Sequence, residues 1–130
     1  MIVDSSAIVA VLLRQPGHDP VLEQLARATA PAAGAPTLAE TGVVLAARLG
    51  VAGKTLLARF VQESGLVVVP FGEDHWLAAV DAFLRYGNGR HPASLNFGDC
   101  MTYAVARLAG EPLLCLGDDF AQTDLPLVAH

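Results

Sequence analysis

Positive charge is scarce in this sequence. Lys54 is the only lysine, and eight Lys and Arg face 13 Asp and Glu, for a net charge of −5 and a pI near 5.1. No global basic field draws such a chain to nucleic acid, so any polyanion it handles must be met by a local basic patch or a metal. Charge of either sign is sparse, at 16% of residues against the ~25% usual in soluble chains. Cysteine is limited to Cys100 and Cys115, without C-x-x-C spacing and within apolar periodic segments. Both are expected to be small buried hydrophobes, and a reducing cytoplasm is the compartment this implies. The nearly apolar stretches, such as 66–71, fall far short of the ~18 residues a spanning helix needs, and no basic region precedes the first apolar residues. Neither export nor a membrane partner is expected. What the chain has in abundance is apolar surface: 53% hydrophobic residues and a mean hydropathy of +0.46. That excludes a disordered chain and implies that a partner covers part of the surface. Its 130 residues suit a single domain, 1–130, with no internal repeat, low-complexity tract or linker.

Hydrophobic periodicity alternates between the two regular structures. Residues 2–4 read as a short buried strand followed by a helix over 5–13. Asp19-Pro20 supplies an N-cap and first turn for a helix ending near Ala30-Pro31, and the Pro/Gly/Ala stretch 31–36 reads as a connection. Thr37-Leu-Ala-Glu40 has the pattern of a capping box opening a helix to Gly50, and 53–64 forms another, stopped by Gly65. Residues 66–69 are β-branched with apolar side chains on both faces, as in a covered parallel strand. Trp76, Ala79, Val80 and Phe83 place a helix over 73–86 at core spacing, and Met101, Ala104, Val105 and Leu108 do the same for the helix opened by Gly98-Asp99. A buried strand over 112–116, a turn or short helix over 118–124 and an edge strand over 125–128 complete the chain. Strands alternating with helices predict an α/β sandwich with a mainly parallel central sheet flanked by helices.

In open α/β sheets ligands bind outside the carboxyl ends of the strands. Asp4 follows the first strand, Asp118 and Asp119 follow the strand at 112–116, and Glu40 and Asp99 lie in the first turns of helices entered from loops. Singly, each acid is explained by capping or by the positive end of a helix dipole. Together they conflict, because two unpaired carboxylates ~4 Å apart repel by about 4 kcal/mol at an effective dielectric near 20. A divalent cation resolves the conflict. With no His or Cys ligand spacing the donors are hard oxygens, which suit Mg2+, with Mn2+ as a substitute, rather than Zn2+.

The residues that carry this acid pattern also carry a resemblance. Met1-Ile-Val-Asp-Ser-Ser-Ala7, Thr37-Leu-Ala-Glu40, Arg90-His-Pro-Ala-Ser-Leu-Asn-Phe-Gly-Asp-Cys100 and Gly117-Asp-Asp-Phe-Ala-Gln-Thr-Asp124 occur in the order found in PIN-domain ribonucleases of the VapC toxin type. The chain resembles that family over essentially its full length. The resemblance implies a PIN-like three-layer sandwich and a Mg2+-dependent endoribonuclease held inactive by a cognate antitoxin. It further implies that Asp4 and Asp99 bind metal and that Glu40 and Asp119 complete the catalytic set. Asp118 and Ser6 are expected in supporting roles. Arg90 and His91, with Arg85, flank the acidic edge before Asp99 and are candidate RNA contacts, while Leu12-Leu13 and the face of Val43, Val44 and Ala47 are either core or, given the apolar excess, an interface for a second copy or an antitoxin helix.

Gly53-Lys54-Thr55 imitates the end of a phosphate-binding loop, but Arg48 stands at the first glycine position and the preceding segment is helical. Two readings from other classes stand beside the nuclease: a Mg2+-dependent phosphoryl-transfer domain, and a catalytically silent PIN-fold binding module. A phosphatase of the first kind needs a second Asp where Ser6 stands, and a receiver needs a late lysine that the chain lacks.

Overall fold

The computed structural model describes all residues from Met1 to His130. Four strands, β1 (Ile2–Val3), β2 (Ala32–Gly34), β3 (Val67–Val69) and β4 (Leu113–Leu114), form one parallel sheet in the order β3-β2-β1-β4. Six helices connect them: α1 (Ser5–Leu12), α2 (His18–Arg27), α3 (Ala35–Leu49), α4 (Val51–Ser64), α5 (Glu73–Tyr86) and α6 (Phe97–Ala109). Because side chains alternate across a strand, Ile2, Ala32 and Leu113 face one core while Val3, Ala33 and Leu114 face the other. The first core is closed by α5 and α6 through Ala79, Ala82, Tyr86 and Ala104, the second by the N-terminal helices through Ile8, Val21, Leu45 and Leu57. The architecture is therefore the expected α/β sandwich in three layers. No helix is long and apolar enough to cross a membrane.

The strand order places the site. From β1 the chain winds outward through β2 to β3, then crosses back to lay β4 on the other side of β1. The crevice between the carboxyl ends of β1 and β4 is thus a topological switch point, where no connecting helix closes over the sheet.

Several local expectations give way to tertiary packing. The stretch 31–36 contains β2, whose Ala-Ala-Gly has little intrinsic strand preference. It is a strand because β1 and β3 pair with it on both sides, and it is small because α6 lies close: a Cβ on Gly34 would stand 2.7 Å from Val105 Cγ2. The helix expected to be capped by Asp19 and to begin at Pro20 starts two residues earlier, at His18, after Gly17 at φ +89°. Thr37 does not cap α3, which already begins at Ala35. Thr37 is buried and shares a 3.0 Å hydrogen bond between its Oγ1 and that of Thr102, which ties α3 to α6. The helix expected to open at Gly98-Asp99 is capped one turn ahead by Asn96, and 125–128 contributes a single bridge, Leu113 to Leu127, rather than a strand. β3 is not covered on both faces. It is an edge strand, and Val67 and Val68 are exposed. Nor do Trp76, Phe83 and Leu108 enter the core: Trp76 is 52% exposed, and only Ala79 of its α5 stripe is buried. The packed α5 and α6 meet through small residues, which leaves their large ones outside.

Candidate active site

Each acid is brought to the switch-point edge by a different element. Asp4 is the N-cap of α1; its Oδ2 accepts from the Ser6 N–H at 3.1 Å, and the residue is 4% exposed. Asp99 sits in the first turn of α6 in a reciprocal capping box, its Oδ2 accepting from the Asn96 N–H at 3.1 Å while Asn96 Oδ1 accepts from the Asp99 N–H at 2.8 Å. Glu40 reaches in from α3. Because α3 starts at Ala35, Glu40 lies beyond the first turn, and its carboxylate is not spent on a cap; it lies against Gly98 instead. Asp119 stands in the turn after β4, just before the 3-10 turn Phe120–Gln122.

Asp99 lies within electrostatic reach of the other three acids. Asp99 is pushed up to about 6, first by burial and then, against the pull of the Asn96 N–H, by the negative charges of Asp4, Asp119 and Glu40. Cys115, buried just after β4, is pushed up to about 12 by burial and by the charges of Asp4, Asp119 and Asp99. Cys100 is likewise raised, to about 11, by burial and by Asp99. Both thiols stay protonated and unreactive at neutral pH. Asp118 is exposed, and its charge acts on none of these groups.

None of the four acids has a basic partner; the ion pairs of the chain involve Asp19, Glu23, Glu63, Glu111 and Asp124. Ser6 is half-buried, and its Oγ accepts from the Leu116 N–H at 2.9 Å, which fastens α1 to the exit of β4 rather than contacting the acids. Arg90 donates from Nε to the Leu84 carbonyl at 3.2 Å and lies over Phe83, while His91 Nδ1 accepts from the Ala93 N–H at 3.0 Å. Arg90 is thus held to the last turns of α5 and His91 by its own loop, with the remaining guanidinium N–H groups of Arg90 unbonded within the chain. The His130 ring donates to the Cys115 carbonyl at 2.8 Å, just after β4.

A clamp holds the turn that carries Asp119. Asp124 accepts from the Tyr103 hydroxyl at 2.6 Å and pairs with Arg107 and Arg85 at 3.1 and 3.4 Å. Partial burial raises the Asp124 pKa, but Tyr103, Arg107 and Arg85 outweigh it and hold the carboxyl below its ordinary range. A depressed carboxyl stabilises the fold above its unfolded-state pKa, and that stability is lost as pH falls through the folded value. Tyr103→Phe is therefore expected to cost about 1 kcal/mol in urea denaturation at pH 7, a charge-assisted bond discounted for exposure, with the difference shrinking below about pH 4. An equal loss at both pH values would mean that Tyr103 acts through packing alone.

As a host for a divalent cation the acids fit in charge and in donor type. All four are oxygen donors, and their mutual repulsion is uncompensated within the chain. No three acid, His or Cys side chains converge tightly enough to enclose an ion. A cation that keeps most of its waters and takes one or two carboxylates directly matches that looseness, and Mg2+ behaves in this way.

A three-layer parallel sandwich with carboxylates gathered at its switch point defines a PIN-like protein. The PIN domain family matches residues 1–125. Ribonuclease VapC36 of Mycobacterium tuberculosis is 52% identical over 96% of this chain and 91% of its own length. Among solved structures, Mycobacterium tuberculosis VapC20, described as a sarcin-ricin loop cleaving toxin, superposes with a TM-score of 0.81 at 20% identity, covering 99% of this chain and 98% of that one. A chain in a toxin-antitoxin complex from Klebsiella pneumoniae gives 0.72 at 17% identity, covering 98% and 95%. The chain belongs to the PIN domain family, among the VapC-type ribonucleases.

Proposed function

We propose that residues 1–130 form one PIN domain that acts in the cytoplasm as a Mg2+-dependent endoribonuclease, the toxin of a toxin-antitoxin pair. The observation that carries this reading is the meeting of Asp4, Glu40, Asp99 and Asp119, from four separate segments, with no basic side chain among them. Asp4 and Asp99, each oriented by a backbone N–H, would hold the cation. When bound, Mg2+ supplies positive charge to the phosphate and acidifies water for attack at phosphorus. Glu40 and Asp119 complete the set and orient the attacking water in line with the departing 3′ oxygen. Asp118, outside the cluster, supports the turn, and Ser6 keeps α1 and β4 in register. Arg90 and His91 contact RNA phosphates at the rim.

The partner reading rests on surface chemistry. Val43, Val44, Trp76, Val80 and Phe97 are exposed on α3, α5 and α6, and exposed apolar side chains grouped in this way mark interaction surfaces. An antitoxin helix and a second copy of the chain are the occupants we propose for such surfaces. The acid cluster suits a basic antitoxin side chain better than a free polyanion.

Water as nucleophile makes the ribose 2′-hydroxyl dispensable. An RNA with a single 2′-deoxy substitution at the scissile nucleotide is expected to be cut still, giving 5′-phosphate and 3′-hydroxyl ends. Cutting should stop in EDTA and return with Mg2+ or Mn2+. Cyclic-phosphate ends, or cleavage that persists in excess chelator, would overturn the mechanism; absence of any cleavage with metal present would favour the silent binding module.

A further inference from the structure

Gly98 occupies the second position of α6, in an ordinary helical conformation that does not require glycine. Glycine in a helix costs up to about 1 kcal/mol relative to alanine, so its presence needs a steric reason. A Cβ at this position would meet the Glu40 carboxyl group: Oε2 lies nearest, followed by Cδ at 2.6 Å and Oε1 at 2.8 Å. The three nearest heavy atoms thus all belong to the end of one flexible side chain. Elsewhere the tight glycines differ, since Gly53 and Gly87 meet backbone and Gly34 meets the core side chain of Val105. The space left at Gly98 is filled by a carboxylate, next to Asp99 and at the positive end of a helix.

We infer that Gly98 is a positioning residue for Glu40: its missing side chain lets the Glu40 carboxylate rest on the first turn of α6 beside Asp99 and join the cation-holding set. This rests on the reading of Glu40 as a site acid. A methyl group at position 98 swings the carboxylate away without disturbing the backbone, because the far end of Glu40 is free to rotate toward solvent.

The test compares the full-length wild type with Gly98→Ala, Glu40→Gln, Glu40→Asp and the double variant Gly98→Ala/Glu40→Asp. Mn2+ affinity is measured by calorimetry, RNA cleavage in parallel and the metal-free melting temperature by circular dichroism. Gly98→Ala is expected to melt at or above the wild type, to bind Mn2+ about 10- to 100-fold more weakly, the range for disturbed supporting residues of metal sites, and to lose cleavage in step. Glu40→Asp shortens the side chain by one methylene and withdraws the carboxyl from the new methyl, so it should cost less in the Gly98→Ala background than alone. Wild-type Mn2+ affinity in Gly98→Ala alongside weakened binding in Glu40→Gln would overturn the role of Gly98 alone. Wild-type binding and cleavage in Glu40→Gln would instead remove Glu40 from the site. A Gly98→Ala protein that fails to fold, or strictly additive losses in the double variant, would show that the methyl meets something other than Glu40 and would also overturn the inference.

Discussion

Asp99→Asn is expected to abolish RNA cleavage while raising the melting temperature of the metal-free protein above pH 6. The Asp99 pKa stands at about 6 in the folded chain against an ordinary 3.8. Between these values the unfolded chain has released a proton that the folded chain retains, so stability falls as pH rises through the window and stays lower beyond it. Asparagine removes the charge and keeps an oxygen to accept the Asn96 N–H, so the capping box survives. The gain is about 1 kcal/mol once solvent screening of a half-exposed carboxyl is allowed for. Loss of activity should be at least 100-fold, ~100-fold being the upper end for residues that only support a metal site. Asp4→Asn should silence cleavage similarly, since asparagine caps α1 as well as aspartate does. Thermal melts at pH 5 and pH 7.5 with EDTA check the sign. Variants that melt below wild type at neutral pH and still cleave RNA would reduce both acids to helix caps.

Gly53→Ala sets helix propensity against packing, and packing should win. In the first turn of α4, where Gly53 stands, alanine is favoured over glycine by up to about 1 kcal/mol. Gly53 is buried, however, at the crossing of α4 over α3, and a Cβ there would collide with the Leu45 carbonyl group, with Ala46 N at 2.9 Å. Backbone cannot swing aside as a side chain does, so the two helices must separate. Overpacking of this kind costs ~1–3 kcal/mol, a fall of roughly 4–11 °C in melting temperature for a chain of this size. An unchanged or raised melting temperature would show that the α3–α4 crossing is looser than it stands here. The same contact explains Gly53-Lys54-Thr55: the glycine serves a helix crossing, and Lys54 and Thr55 are exposed on the outer face of α4.

The acids were legible because their chemistry is written into local pattern. Asp4 directly follows Ile-Val, Asp99 follows an Asn-Phe-Gly turn, and Asp118-Asp119 follow an apolar strand, so the carboxyl-end rule pointed to one edge. Glu40 was expected in a capping box that does not form. A capping box would have tied it to its own helix, whereas α3 begins two residues before Thr37 and frees the carboxylate for α6. The support for these residues was not legible: the Ser6 bond to Leu116 spans 110 residues, and the Tyr103–Asp124 clamp joins α6 to a turn 21 residues further on.

Periodicity and turn residues determined the alternation of strands and helices by themselves, because an amphipathic face and a chain-terminating glycine act within one or two turns of backbone. Tertiary structure alone decided that Ala32-Ala33-Gly34 is a strand, since its hydrogen bonds come from β1 and β3 and its smallness answers Val105 of α6. It likewise decided which apolar faces stay outside. Trp76 and Phe83 keep core spacing along α5, but Ala79 and Ala82 carry the contact with α6, and the larger side chains are left exposed. Spacing records that a face is apolar; only the closeness of the neighbouring helix determines whether that face is filled from within the chain or left for a partner.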